Sequence, residues 1–327
     1  MHASMLQAVE QNGLYLPNCG LWMDARRAKS FAVVSHAHSD HTARHQSFLA
    51  TAPTIDCMRV RMGDAVANRG IALDYGQVYQ HGAVRIQLFP AGHVLGSAMV
   101  RVEAPSGESM LYTGDFKTRP GLAAEAIEIP QADTLIIEST FGKAEFVFPP
   151  AETVQQQIHD FCADALAADE VPVLLAYSLG KAQEVLKLLQ PGDFSLMAHQ
   201  TIRALNPVYD KHGIALPATR PLDFLNMAGC VVVMPPAVRR HLPTGRHRLA
   251  MISGWGMQAN SQYRYRTDAV LPLSDHADYA ELLEFVDAVG PRKVFTMHGS
   301  TAALAAALRR RGVDAWSLSG SDQLELF

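Results

Sequence analysis

Six residues, His36-Ala37-His38-Ser39-Asp40-His41, follow directly on the apolar stretch Ala32-Val33-Val34. Nothing else in the chain restricts its fold as much. Four groups able to hold a metal sit where a strand gives way to a turn, and imidazole and carboxylate are ligands that suit Zn²⁺. His36 and His38 are two apart, so an extended backbone puts both on one side. Asp40 and His41 continue around the turn toward a second ion. The pattern asks for a strand that ends here, in a sheet rigid enough to aim several side chains at one point.

Four ligands from one loop cannot close a two-metal site. Three more candidates stand at strand ends: His93 after Phe89-Pro90, Asp115 after Tyr112-Thr113-Gly114, and His298 after Phe295-Thr296-Met297. The first half reads as short strands separated by loops, over 84–89, 99–103, 110–113 and 134–137, the last stopping at Glu138. After Pro149-Pro150 the texture changes. Helices are predicted over 152–168, 181–189 and 201–211, alternating with strands over 171–176, 194–197, 230–234 and 249–252. That alternation predicts a small parallel α/β unit. Further strands are expected over 270–273, 294–297 and 315–318, with helices over 279–289 and 302–310.

Apolar residues make up 48% of the 327 and charged residues 18%, enough to bury a real core. No apolar run approaches the roughly 18 residues needed to span a membrane. The first residues carry no basic segment followed by an apolar one, as a secretion signal would. The four cysteines, Cys19, Cys57, Cys162 and Cys230, are far apart, which argues against a disulfide framework or a thiolate zinc knuckle. A cytoplasmic location is expected. The net charge of −4 gives no support for a nucleic-acid partner. One stretch departs from it: residues 236–266 hold six arginines (239, 240, 246, 248, 264, 266) and no Asp or Glu. This is either a solvated loop or a local phosphate-binding surface.

The metal motif and its distant partners resemble the metallo-β-lactamase superfamily over essentially the whole chain. The resemblance implies an α/β (α+β) fold, a four-layer αββα sandwich. It also implies two Zn²⁺, with Mn²⁺ or Fe as alternatives. His36, His38 and His93 would bind one ion, Asp40, His41 and His298 the other, and Asp115 would bridge them. Attack by water activated on the metal pair is the chemistry implied, with Asp40 counted among the catalytic groups as well as the ligands.

Tyr177-Ser178-Leu179-Gly180-Lys181-Ala182-Gln183-Glu184 resembles the start of the β-CASP cap, the second domain of nucleases in this superfamily. The expected organisation is a metallo-β-lactamase domain over 1–150 and 267–320, an inserted small α/β β-CASP cap over 151–266, and a tail over 321–327. Gly180 opens a helix, whose free N–H groups together with Lys181 can hold a phosphate; Ser178, Arg264 and Arg266 are the other candidate nucleic-acid contacts. A plain helix start is the competing reading. Ile136-Ile137-Glu138-Ser139-Thr140 and Leu273-Ser274-Asp275-His276-Ala277-Asp278-Tyr279 resemble two further β-CASP motifs. By that likeness His276 is the general acid for the leaving oxygen and Glu138 holds its other ring nitrogen.

The compact cap resembles most the bacterial ligase-associated DNA exonucleases. A DNA exonuclease of repair is therefore expected, with a DNA ligase and a helicase as partners implied by the resemblance. An RNA-processing β-CASP nuclease is the alternative, since His298 is more typical of RNA-cleaving members. A non-catalytic scaffold is the third reading, opposed by the intact ligand set. At the tail, Gln323-Leu324-Glu325-Leu326-Phe327 resembles the peptide by which bacterial repair proteins bind the sliding clamp. There Leu326 and Phe327 would fill an apolar pocket, with Leu324 beside them and Gln323 as the polar anchor. A last strand folded onto the protein itself is the other reading of that segment.

Overall fold

The computed structural model describes residues 4–318, in two compact units. The second comprises Val147–Asp275 with the short segment Gly121–Ala123; the first is the rest of the described chain.

The first unit holds two sheets. One has six strands in chain order, from Val9–Glu10 through Leu21–Met23 and Phe31–Val33 to Gly70–Ala72. The other has seven, in the spatial order Ala315–Ser317, Lys293–Gly299, Thr134–Ser139, Ser109–Tyr112, Ala98–Glu103, Val84–Pro90, Val78–His81. Side chains alternate across a strand, and here each sequence of alternation feeds two cores. Met110 and Tyr112 join Ile86, Val100, Ile136 and Met297 against Leu16, Met23, Val33 and Leu49 of the first sheet. Leu111, Leu135 and Ile137 point the other way, onto Leu282 and Phe285 of helix Tyr279–Val289 and Leu304 and Leu308 of helix Thr301–Arg310. Helix Ala52–Met62 packs Ile55 by Phe48 of the first sheet, so close that a side chain on Gly70 would meet both. The result is the αββα sandwich.

The second unit is an all-parallel six-stranded sheet in the order Arg220–Pro221, Leu196–Ala198, Val231–Met234, Val171–Leu175, His247–Ile252, Ala269–Leu271. Its central strands, Leu196–Ala198, Val231–Met234 and Val171–Leu175, are buried on both faces, as a parallel sheet requires. Leu174, Val233 and Ala250 meet helices Ala151–Ala167 and Lys181–Leu189 on one side. Val173, Val232 and Met251 pack with Val238, Leu242 and Tyr265 on the other.

Three expectations change. Helix Ala52–Met62 lies where only strands and loops were anticipated; its start is set by Thr51, whose side chain accepts from the Thr54 N–H at 3.3 Å. The helix expected over 201–211 is two, Gln200–Arg203 and Asn206–Lys211, because Pro207 has no N–H to continue the first. The second unit does not end at 266. Ala269–Leu271 pairs in parallel with Ala250, Met251 and Ile252, so the chain leaves this sheet only beyond it, at Asp275. Among the described residues no helix is long and apolar enough to cross a membrane.

Candidate active site

The first unit collects the predicted ligands at one end of its two sheets. His36, fully buried, directs Nε2 to within 3.0 Å of His38 Nδ1, which lies 3.1 Å from His93 Nε2. Asp115 Oδ2 stands 3.5 Å from His36 Nε2, 3.8 Å from His93 Nε2 and 3.3 Å from His41 Nε2. Four ligand atoms of His36, His38, His93 and Asp115 all lie within 4.8 Å of one another. Tetrahedral zinc with bonds near 2.0–2.1 Å to nitrogen has ligand–ligand edges of about 3.3 Å, so the imidazole spacing fits a metal. His41 Nε2 also faces Asp40 Oδ2 at 3.7 Å. His298 is farther out, its ring centre 6.0 Å from that of His41.

Backbone geometry explains how these loops are aimed. Gly92, just before His93, has φ +74°, and a side chain there would meet the Lys117 carbonyl oxygen at 2.3 Å. His298 is the extra residue of a bulge: Glu138 pairs with Met297 and Ser139 with Gly299. The bulge puts His298 at φ 57° and turns its side chain out of the strand's alternation.

One residue of the site was missed in the sequence. Asp24 is buried and accepts from the Ser35 N–H (2.7 Å), the Ser35 hydroxyl (2.6 Å), the Tyr112 hydroxyl (2.9 Å) and His41 Nδ1 (2.8 Å). A carboxylate only accepts, so His41 carries a proton on Nδ1, which leaves Nε2 as the nitrogen a metal would take. The Ser35 hydroxyl proton is spent on Asp24, so His36 Nδ1, 2.9 Å away, donates to Ser35, leaving the Nε2 lone pair to the cluster. Asp24 thus sets two tautomers at once. Asp24→Ala would strand four buried donors. We expect a loss of about 3–5 kcal/mol of stability and ~10–100-fold in zinc affinity, read by thermal denaturation and chelator competition.

The local charges are not all alike: burial opposes protonation of His41, but Asp115 and Asp24 outweigh it and hold this ring well above the usual histidine range, so metal binding there would displace a proton. Burial and the neighbouring imidazoles hold His36 well below the usual histidine range, so it stays neutral. Burial opposes ionisation of Asp115, but His41, His276 and His36 outweigh it and hold the carboxyl well below its ordinary value. Neutral imidazole and ionised carboxylate are the forms a metal binds.

Beside the cluster, the His276 ring centre lies 4.8 Å from that of His93. Its Nδ1 is 2.9 Å from Oε1 of Glu138, which is buried and also accepts the Phe116 N–H at 3.0 Å. Glu138 Oε2 accepts from the Thr140 N–H and hydroxyl. With every oxygen of Glu138 accepting, His276 Nδ1 is the protonated nitrogen and Nε2 the one that can exchange a proton.

In the second unit the predicted phosphate contacts fare differently. Lys181 is buried, and its ammonium donates to Asp275 Oδ1 (2.7 Å) and the Leu273 carbonyl (2.9 Å). It pins the chain leaving the sheet. Gly180 N–H donates to Gln183 Oε1 at 2.9 Å, and the Ser178 hydroxyl pairs with Thr201 at 2.8 Å. The arginine stretch divides. Arg239, Arg246 and Arg248 serve the fold, donating to the Tyr265 and Arg266 carbonyls, the Ala168 carbonyl and Glu170 respectively. Arg264 and Arg266 are exposed. The clamp-like residues Gln323, Leu324, Leu326 and Phe327 lie outside the described residues.

Residues 264–317 match the family described as RMMBL, Zn-dependent metallo-hydrolase RNA specificity domain. The chain is 46% identical over 321 residues to a "Probable DNA ligase" of Opitutus terrae, covering 96% of this chain and 31% of that protein. An "RNase J-like protein" of Methanocaldococcus jannaschii is 28% identical over 57% of this chain and 51% of its own length. A "Transcription termination factor FttA" of Methanothermobacter thermautotrophicus is 29% identical over 48% and 30%. The chain therefore spans about half or less of each of these relatives. A crystal structure of a protein of unknown function from Enterococcus faecalis shares the fold, with a TM-score of 0.58 at 15% identity over 82% of this chain and 75% of that one.

Proposed function

This chain belongs to the β-CASP branch of the metallo-β-lactamase superfamily, and from that premise we propose that it is a metal-dependent phosphodiesterase that shortens DNA from an end during repair. The observation that carries the reading is His276, held by Glu138 at 2.9 Å with its ring 4.8 Å from that of His93. A phosphodiester needs a proton for its departing sugar oxygen, and a histidine at the rim of a metal cluster supplies one. A thioester, whose thiolate departs without a proton, has no such need.

Two zinc ions are the metals proposed, with His36, His38 and His93 for one, Asp40, His41 and His298 for the other, and Asp115 common to both. Bound there, they would activate water and offset charge on the phosphoryl oxygens. The remaining work falls to side chains. Asp24 keeps the His41 and His36 Nε2 atoms aimed inward, and Glu138 keeps the His276 proton on Nδ1. His276 Nε2 delivers a proton to the leaving oxygen.

DNA is favoured because the relative named a probable DNA ligase matches nearly the whole chain, whereas the RNase J-like and termination-factor relatives match about half at lower identity. An end-trimming activity suits ligation, which needs clean ends. Partnership with a ligase and a helicase, and clamp binding through Gln323, Leu324, Leu326 and Phe327, belong to the same proposal. The second reading, RNA processing, is favoured by the RNA specificity named for the family matching 264–317. End-labelled single-stranded DNA and matched RNA, digested with zinc or manganese present, separate the two. Products from DNA are expected; cleavage of RNA alone would overturn the DNA reading.

A further inference from the structure

The loops carrying Asp115 and His276 come from distant parts of the chain and are sewn together by three successive ties, all within the first unit. Glu138 Oε1 accepts from both the Phe116 N–H (3.0 Å) and His276 Nδ1 (2.9 Å). The Phe116 carbonyl accepts from the Ala277 N–H at 2.7 Å. The outermost tie is Glu281. Its Oε1 accepts from the Arg119 N–H at 2.8 Å and from the Thr118 hydroxyl. Its Oε2 accepts from Arg119 Nε (3.0 Å), Arg119 Nη2 (2.8 Å) and the Asp278 N–H (2.9 Å).

Glu281 opens helix Tyr279–Val289 in a capping box with Asp278, whose Oδ1 accepts the Glu281 N–H at 3.0 Å. A capping box needs one bond from that glutamate, to the N-cap N–H. The other four donors come from Thr118 and Arg119, three and four residues beyond Asp115. Although 7% exposed, the carboxyl is held below its ordinary value: burial opposes ionisation, and Arg119 and the donors around it prevail.

We propose that Glu281 is a positioning residue for proton delivery: by locking the 115–119 loop to the 276–278 loop, it fixes His276 relative to Asp115 and so to the departing oxygen. This rests on the reading of His276 as proton donor. Misplacement by a fraction of an ångström slows a step that needs in-line geometry, while the metal ligands themselves, none of which Glu281 touches, stay as they are.

The test compares two DNA substrates that differ in one atom at the scissile linkage. One has its normal leaving oxygen; the other has a bridging sulfur, which departs as thiolate without a proton. Glu281→Gln keeps the capping-box acceptor but loses the charge and places an N–H₂ against Arg119. We expect kcat on the oxygen substrate to fall about tenfold, with KM and zinc content unchanged and the sulfur substrate altered by less than about twofold. Equal losses on both substrates, or no loss on either, would overturn the proposal. His276→Ala runs beside it. If that variant fails to discriminate between the substrates, the proton-donor reading fails; if it discriminates and Glu281→Gln does not, only the positioning role falls. Should Glu281→Gln not fold, Arg119→Gln, which leaves the helix cap intact, is expected to give the same selective loss.

Discussion

Replacing Asp115 by alanine is expected to abolish hydrolysis and metal loading together. Oδ2 of this carboxylate lies 3.3 Å from His41 Nε2, 3.5 Å from His36 Nε2 and 3.8 Å from His93 Nε2. It is the carboxylate that stands among three of the predicted histidine ligands at once. Its charge matters as much as its position. The site gathers several imidazoles, and Asp115 is a buried carboxylate held ionised, against the cost of burial, chiefly by His41, which Asp115 and Asp24 in turn hold well above the usual histidine range. Without it a divalent cation would face mostly neutral donors in a buried setting, where uncompensated charge is costly. A loss of roughly a thousandfold or more in kcat/KM is expected, because both the metals and their offset of phosphoryl charge go. Metal analysis of the purified variant, beside digestion of labelled DNA, checks this. Full zinc occupancy in an inactive Asp115→Ala protein would remove the bridging role and leave Asp115 a purely chemical one.

What could be read in advance follows from how local each signal is. The run from His36 to His41 is one loop, and its meaning depends on spacing alone. His93, Asp115 and His298 could be picked out because each ends an apolar strand and is flanked by glycine. Asp24 has no such mark. Its partners Ser35, His41 and Tyr112 lie 11, 17 and 88 residues away, so only the folded sheet pair reveals that it orders the histidines. The pairing of Lys181 is hidden in the same way. A lysine at a helix start looks available for phosphate, yet its salt bridge to Asp275, 94 residues on, takes it inside. The arginine stretch is similar, since three of its members answer backbone carbonyls or Glu170. The bulge at His298 depends on the register with Thr134–Ser139, which no window of sequence contains. Periodicity did serve for the second unit, because its parallel strands are continuous apolar runs. It failed for Ala52–Met62, where Arg59 and Arg61 interrupt the apolar face.

His276→Ala is expected to separate chemistry from metal binding, keeping a full complement of metal and losing ~10²–10⁴-fold in kcat. The prediction discriminates, because ligand atoms of Asp115, Glu138 and His276 also lie within 4.8 Å of one another and could in principle hold an ion. Hydrogen bonding argues against that use. Glu138 Oε1 is engaged by the Phe116 N–H and the His276 ring, and Oε2 by the Thr140 N–H and hydroxyl. A carboxylate so occupied, almost wholly buried, has little left for a cation. It is well placed instead to hold one imidazole tautomer and to stabilise the imidazolium that forms when His276 picks up its next proton. Glu138→Gln should then reproduce part of the His276→Ala defect with metal content unchanged, since the amide can still accept from Nδ1 but no longer carries the charge. Loss of metal on removal of the His276 ring would reverse the assignment, making it a ligand and leaving the departing oxygen without an identified proton source.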